Sequence, residues 1–497
     1  MSKQWWSLSR LIGPVIAALA IGIALDDAAG CNVEHPAELL EHSASALEVP
    51  HGVTVKGRQL ELDGKPFQVR GVNYSPIPIG GSIDGYRAEA NKLLGDGGDV
   101  FANPYYENIW KADLVKMKDM GVNTIRVYAM HPWEPQVGPE MHRSHKAFLD
   151  LAQANGIHVI AAFPISNSVF RYKLATTAPT DGSWFLRDGA NIWVADETRK
   201  EDGWKFNGAQ TAAQRQRTDL EAYEALAHEL GEHPAVFGFV IGNEINTPQN
   251  VANPKFWAYI NHVAERLHAP APQKLTTMTM FDDSMQTLRA VQKNGYDVSH
   301  IDFWGINSYR GRLGDANEGF NDLFSTYAQA STKPFVVTEF GAPHTTRKEI
   351  VAGMNVPTPR TDDAAAQGKK LHELCEHGVL IELPARAKLA ADYVESHWKD
   401  IDNNKNIAAG GIVFEWQDEY VKAGTREHLT GLSDVWSQSN SPGASAAFPG
   451  GCRDEEGFGL NAVTLKRGRD NWNGPKLQLD PRMSRAAFDR LKTLWTR

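Results

Sequence analysis

Cysteine is scarce in this chain: three occur among 497 residues, at positions 31, 375 and 452. There is no Cys-x-x-Cys and no His-x-x-x-His, so no metal-ligand spacing is offered and neither a metal nor a cofactor is called for. The acidic stretch near Asp96 and Asp99 leaves a calcium ion open as an alternative, but its spacing is not that of a calcium loop. Basic charge is also in deficit. Lys and Arg number 51 against 60 Asp and Glu, a net charge of −9, and no dense basic cluster occurs. That argues against nucleic acid as the partner and against a polybasic membrane patch. A Gly-rich phosphate loop is missing as well. The first strand of the main domain runs into Gly71-Val-Asn-Tyr-Ser-Pro-Ile-Pro, which speaks against an open, doubly wound nucleotide fold. What is plentiful is tryptophan, 14 residues, which suits sugar-binding clefts and ordinary cores alike.

The N-terminus reads as an export signal. Lys3 and Arg10 precede an apolar run from Leu11 to Leu25, too short for a comfortable membrane span. Ala28-Ala29-Gly30-Cys31 then resembles a bacterial lipoprotein signal, although Ala28 stands where Leu is usual and Asp26-Asp27 interrupts the signal. The resemblance implies a periplasmic or outer-membrane lipoprotein attached through a lipidated Cys31; cleavage after a small residue, giving a secreted protein, or a retained anchor are the alternatives. Cys375 and Cys452 would remain, as a disulfide in an oxidising compartment or as two separate thiols. The expected division is 1–30 signal, 31–50 tether, 51–68 β-hairpin, and 69–497 barrel with a C-terminal extension.

Beyond residue 68 strand-like and helix-like segments alternate. Strands are expected at Gln68–Tyr74, Thr124–Ala129, Ile157–Phe163, Val236–Asn243, Leu275–Met280, Asp302–Tyr309, Phe335–Thr338 and Gly411–Glu415. Helices are expected at Asn108–Met120, Ser144–Ala154 and Ala213–Leu230, the first closed by Gly121. Eight such units predict an α/β fold, a (β/α)8 barrel with a small N-terminal β-hairpin and long βα-loop insertions. The loop after strand three carries Phe170, Trp184, Phe185, Trp193, Trp204 and Phe206, expected either to pack on one another or to lend one or two rings to a sugar cleft.

Two glutamates stand out. Glu244 and Glu339 each close an apolar run and are each followed by loop punctuation, Thr247-Pro248 and Gly341-Ala342-Pro343. A carboxylate is costly in a core. Placed at strand ends four and seven, with three βα units between, the pair has the equipment to break a glycosidic bond. Other polar residues at strand ends are Asn73, Tyr74, Arg126, Tyr128, Asn243, Asn307, Tyr309 and Glu415 to Asp418. Asp418 and Glu419 read as solvated or helix-capping charges, and His131 as a loop residue.

Several stretches carry a family resemblance: Gly71-Val-Asn-Tyr74, Gly121 to Ala129, Gly242-Asn-Glu244, Asp302 to Tyr309, Thr338-Glu-Phe-Gly341, Gly410 to Trp416, and Phe458-Gly-Leu460. Together they resemble glycoside hydrolase clan A, the retaining β-glycosidases on (β/α)8 barrels. In motifs they are nearest the β-1,3-glucanosyltransferases, with some likeness to family-two β-galactosidases around Gly410 to Tyr420. The resemblance implies Glu339 as nucleophile and Glu244 as acid/base, with like-charge repulsion keeping Glu244 protonated while Glu339 is ionised. It implies that Asn243 binds the sugar 2-hydroxyl, Tyr309 donates to Glu339, Arg126 holds Glu339 ionised, and Trp416 floors the reacting sugar, unless Phe414 or Glu415 is the inward residue. Asn73 and Tyr74 are further expected substrate contacts. The expected substrate is a β-linked glucan, β-1,3 first. A β-mannan, a β-galactoside, or a non-catalytic carbohydrate-binding role are the alternatives.

Overall fold

Strand length and turn chemistry account for the start of the fold. β1 (Val53–Lys56), β2 (Gln59–Leu62) and β3 (Lys65–Phe67) are short antiparallel strands. Asp63 and Gly64, both at positive φ, turn β2 onto β3, as a two-residue hairpin loop requires. The expected hairpin is present and gains a third strand. The computed structural model describes residues 52–77, 99–128, 130, 144–163, 165, 172–180, 184–195, 212–282, 284–311, 313, 319–348, 380–419, 457–463 and 481–497. All belong to one compact unit, Val49–Arg497. The signal, the tether, all three cysteines, Asp96, His131, Phe170, Trp204 and Phe206 lie outside the described residues.

The main domain is a closed barrel of eight parallel strands. In chain order they are β4 (Val69–Asn73), β5 (Thr124–Arg126), β6 (His158–Phe163), β10 (Val236–Asn243), β11 (Leu275–Phe281), β12 (Phe303–Asn307), β13 (Phe335–Phe340) and β16 (Ala408–Val413), and β16 closes on β4. Helices return the chain between strands, among them Glu107–Met120, Lys146–Ala154, Ala212–Leu230, Pro254–His268 and Pro384–Asn403. The expected strands and helices are therefore found, with ends shifted by a few residues. Smaller pieces decorate the barrel: a three-stranded sheet of β7 (Tyr172–Ala175), β8 (Phe185–Asp188) and β9 (Asn191–Ala195), the pair β14 (Thr345–Arg347) and β15 (Leu380–Glu382), and the pair β17 (Asn461–Val463) and β18 (Arg482–Ser484).

Alternation along the strands sorts side chains into two layers. Val159, Phe239, Met278, Trp304, Val337 and Val413 face the helices. Ile160, Val240, Phe303, Val336 and Ile412 fill the barrel together with Val53 and Leu60 of the N-terminal sheet. The sheet thus closes the apolar end of the barrel with its own side chains. Arg58 fastens it by donating to the carbonyls of Ala328 and Ser331.

One buried charge sits away from the barrel axis. His145, just before the helix Lys146–Ala154, is fully buried between Asp99 at 2.7 Å and Glu229 at 2.8 Å. Asp99 also accepts from the backbone of Phe101 and Ala102, so its carboxylate is committed within the protein. Burial alone pushes the imidazole pKa down, but the two carboxylates outweigh it and carry it up to about 10. The raised pKa makes this contribution to stability fully present below the unfolded value of 6.5 and loses it as pH rises through about 10. Unfolding free energy measured in urea is therefore expected to fall between those limits, and His145→Gln to remove much of that slope. An equal fall in the variant would assign the alkaline loss to other groups.

Candidate active site

The site stands where the strands end. β10 carries an extra residue against β11 between Val240 and Asn243, and β13 carries one against β12 between Ile306 and Asn307. Such irregularities re-aim a side chain, and here each immediately precedes a glutamate or contains it. Gly242 at φ 70° and Glu244 at φ 55° turn the end of β10. A Cβ on Gly242 would press on Ile165 and Ile245, so the close turn requires glycine. Glu244 in the left-handed region is an uncommon conformation for a residue with a long side chain, held by its backbone N–H on the carbonyl of Thr279 at 2.9 Å.

Glu339 receives three donors. Arg126 Nη1 approaches Oε1 at 2.8 Å, the Tyr128 hydroxyl approaches the same oxygen at 2.7 Å, and the Tyr309 hydroxyl approaches Oε2 at 2.8 Å. Only 6% of Glu339 is exposed. Burial, then the charge of Glu339, push the phenols of Tyr128 and Tyr309 well above their usual range, so both stay protonated donors. Burial would lower the Arg126 pKa, but Tyr128, Glu339 and Glu244 together raise it. Glu244 is held differently. It is exposed, and Asn307 Nδ2 donates to its Oε1 at 2.9 Å. Thr338 Oγ1 donates to Asn307 Oδ1, which fixes the amide so that its nitrogen faces Glu244. Arg126 Nη2 and Asn307 Nδ2 both reach Asn243 Oδ1, at 2.7 and 3.2 Å, leaving the Asn243 NH2 as a donor at an exposed position. One run of contacts, Glu339–Arg126–Asn243–Asn307–Glu244, thus joins the two carboxylates.

Three expected substrate contacts are corrected. Tyr74 is buried in the helical layer, where its hydroxyl donates to Asp113 at 2.9 Å. Asn73 is fully buried beneath the site, donating to the carbonyl of Thr338 and accepting from Arg126 at 3.4 Å. Strand alternation sends these neighbours to opposite faces, so both could not have entered the barrel. Trp416 is fully buried against Phe488, at 6.1 Å between ring centroids. Since β16 ends at Val413, strand periodicity does not extend to it. Phe414 is the aromatic on the site side, edge-on to Tyr128 at 6.5 Å and to Tyr309 at 6.4 Å. Asp418 and Glu419 are also corrected, being buried rather than solvated. Tyr128 and Asn307, expected only as polar strand-end residues, belong to the site, and both carry an i, i+2 signal, with Arg126 and with Tyr309. In the loop after β6, Trp184 packs on Tyr172 and Tyr259, and Lys255 lies 3.6 Å over Trp193, so both rings are committed to packing. Among the described residues no group of three or more His, Cys, Asp or Glu is placed to hold a metal.

Comparisons with known proteins bear on this geometry. Residues 101–287 match the family model Glyco_hydro_42, Beta-galactosidase. The matched residues, which hold Arg126, Asn243 and Glu244, make up well under half of the chain and agree with the expected likeness to clan A glycoside hydrolases. The match supports an enzyme that acts on glycosidic bonds. No curated protein matches the sequence. Among solved structures it is similar to a mutant of Saccharomyces cerevisiae Gas2p in complex with laminaritetraose and laminaripentaose, at 15% identity over 90% of this chain and 67% of that one, with a TM-score of 0.45. It is similar as well to the GH2 beta-galacturonidase from Eisenbergiella tayi bound to galacturonate, at 14% identity over 89% of this chain and 54% of that one, with a TM-score of 0.46.

The hydrogen bonds to Glu339 generate a test. Tyr128→Phe removes one of two donors on Oε1. Losing a hydrogen bond to a charged group should lower kcat about tenfold. An unchanged kcat would mean that the Tyr128 hydroxyl does not support the reaction.

Proposed function

We propose that this protein is a retaining β-glycosidase or transglycosylase acting on β-linked glucan, β-1,3-glucan first, with Glu339 as nucleophile and Glu244 as acid/base. The observation that carries the assignment is the different depth of the two carboxylates. Glu339 is 6% exposed and takes one cationic and two phenolic donors. Glu244 stands at the exposed mouth of the site, where a leaving or attacking oxygen can reach it.

The reaction follows as a double displacement. Glu244 gives its proton to the glycosidic oxygen while Glu339 attacks the anomeric carbon and the bond to the leaving sugar breaks. Oε1 already accepts from two donors and Oε2 from one, so Oε2 has the freer lone pair and is the attacking atom. In the second half Glu244, now a carboxylate, takes a proton from water or from a sugar hydroxyl. The oxygen so activated attacks the same carbon and releases Glu339. The Asn243 NH2 donates to the sugar 2-hydroxyl, and the buried Phe414 backs the rings of Tyr128 and Tyr309. The glucan assignment rests on the motif resemblance from Gly71 to Leu460. A β-galactoside is the second reading, favoured by the match of residues 101–287 to a β-galactosidase family. The N-terminal signal supports export, with attachment through Cys31 where that residue is lipidated.

Incubation with a β-1,3-gluco-oligosaccharide, read by mass spectrometry, separates the outcomes. Products longer than the substrate mean transfer, only shorter ones mean hydrolysis, and unchanged substrate excludes β-1,3-glucan and moves the assay to β-galactosides and β-mannans. On whichever substrate reacts, Glu339→Gln should lower kcat by about a thousandfold or more. A variant within tenfold of the wild type would overturn the nucleophile assignment.

A further inference from the structure

A C-terminal segment that follows the barrel reaches back to the proposed nucleophile. Gly457 to Val463 is stitched between two βα loops. His344 N–H donates to the carbonyl of Gly457 at 2.7 Å, Leu460 N–H to that of Glu415 at 2.8 Å, and Asn461 N–H to that of Trp416 at 3.1 Å. The Phe458 ring, 2% exposed, stands edge-on to Tyr309 at 5.9 Å and to Phe414 at 5.5 Å. Tyr309 is the residue that donates to Glu339 Oε2.

A buried ion pair holds this segment in place. Arg485 binds Asp418 through both oxygens, at 2.6 and 2.9 Å, and both residues are buried. The same guanidinium donates to the carbonyl of Gly459 at 2.5 Å and reaches Glu382 at 3.0 Å. Asp418 Oδ1 accepts from Gly459 N–H at 3.2 Å. Gly459, next to Phe458, is thus gripped at both its N–H and its carbonyl, and a Cβ there would strike the backbone of Gln417 and Asp418. The Phe458 ring cannot shift along the segment while the clamp stands. Phe458 is almost fully buried, and its ring contact with Tyr309 is the route by which it bears on Glu339.

We propose that Phe458, held by the Arg485–Asp418 clamp, is a positioning residue that sets the Tyr309 hydroxyl on Glu339. The inference rests on Glu339 being the nucleophile. A double-mutant cycle tests it in the full chain, with the aryl β-glycoside that the wild type turns over, whichever sugar that is. Phe458→Leu should lower kcat about tenfold with KM within about twofold. Arg485→Lys, which keeps the charge and loses the fork, should act in the same direction. In a Tyr309→Phe background the Phe458→Leu effect should shrink to within about twofold, since the contact it serves is already gone. The exposed Met483→Ala, on β18 of the same segment, serves as the control and should match the wild type. If Phe458→Leu does not unfold cooperatively, the unbranched and more adaptable Phe458→Met carries the cycle. An unchanged kcat, or a Phe458 effect that persists undiminished in the Tyr309→Phe background, overturns the proposal. Failure of the underlying reading looks different: Glu339→Gln would then retain activity while the cycle itself remained measurable.

Discussion

A guanidinium with no solvent exposure near the catalytic end of the barrel is the constraint on which the rest of this site depends. Taking the Arg126 charge out of water costs several kcal/mol, and only a partner in good geometry offsets it. Glu339 supplies the opposite charge at 2.8 Å, Asn243 an acceptor at 2.7 Å and Asn73 one at 3.4 Å. These partners come from the seventh, fourth and first barrel strands, and Arg126 itself from the second. Neutralising one buried charge therefore fixes the mutual height of four strand ends. It also decides where the carboxylate of Glu339 points. The electrostatic need of the fold and the orientation of the proposed nucleophile are met by the same contact.

The two glutamates then differ because their strands end differently. Glu339 lies within β13, inside the barrel wall, where Arg126 of β5 and the tyrosines just beyond β5 and β12 converge on it. Glu244 lies one residue beyond β10, after a left-handed turn, at an exposed position. A group that stays charged is best placed in the wall, among fixed donors. A group that gives and regains a proton is best placed at the mouth. The register irregularities in β10 and β13 produce this difference in depth between residues that look equivalent in sequence.

That equivalence explains what was legible beforehand. Glu244 and Glu339 stand out because a carboxylate after an apolar run has few structural explanations, and eight strand-like runs separated by helices leave few topologies. The inward or outward sense of the neighbours was harder to read. Tyr74 follows Asn73 directly, so the two must part, and alternation alone assigns one of them to the helical layer. The same period applied to Arg126 gives Tyr128, named beforehand only as a strand-end residue, its place beside Glu339. Trp416 escapes the period for a different reason: the strand stops at Val413, and the residues beyond it obey the contacts of the C-terminal segment rather than a repeat of two. Asp418 reads as solvent-facing because the arginine that buries it, Arg485, is remote in sequence, and no local pattern announces such a pair.

Remote pairing of this kind separates the two ends of the barrel. The apolar end is closed by β1 to β3, whose side chains join the interior directly, and apolar contact of that kind tolerates small adjustments. The catalytic end is closed by charge and hydrogen bonding, with Arg485 on Asp418 and Phe458 wedged beside Tyr309. Such contacts depend steeply on angle and distance, so they suit a place where a hydroxyl must meet a carboxylate at 2.8 Å. A barrel strand alone aims a side chain only as well as its last residues are held. The eighth strand ends early, and the C-terminal segment takes over the holding where the strand gives out.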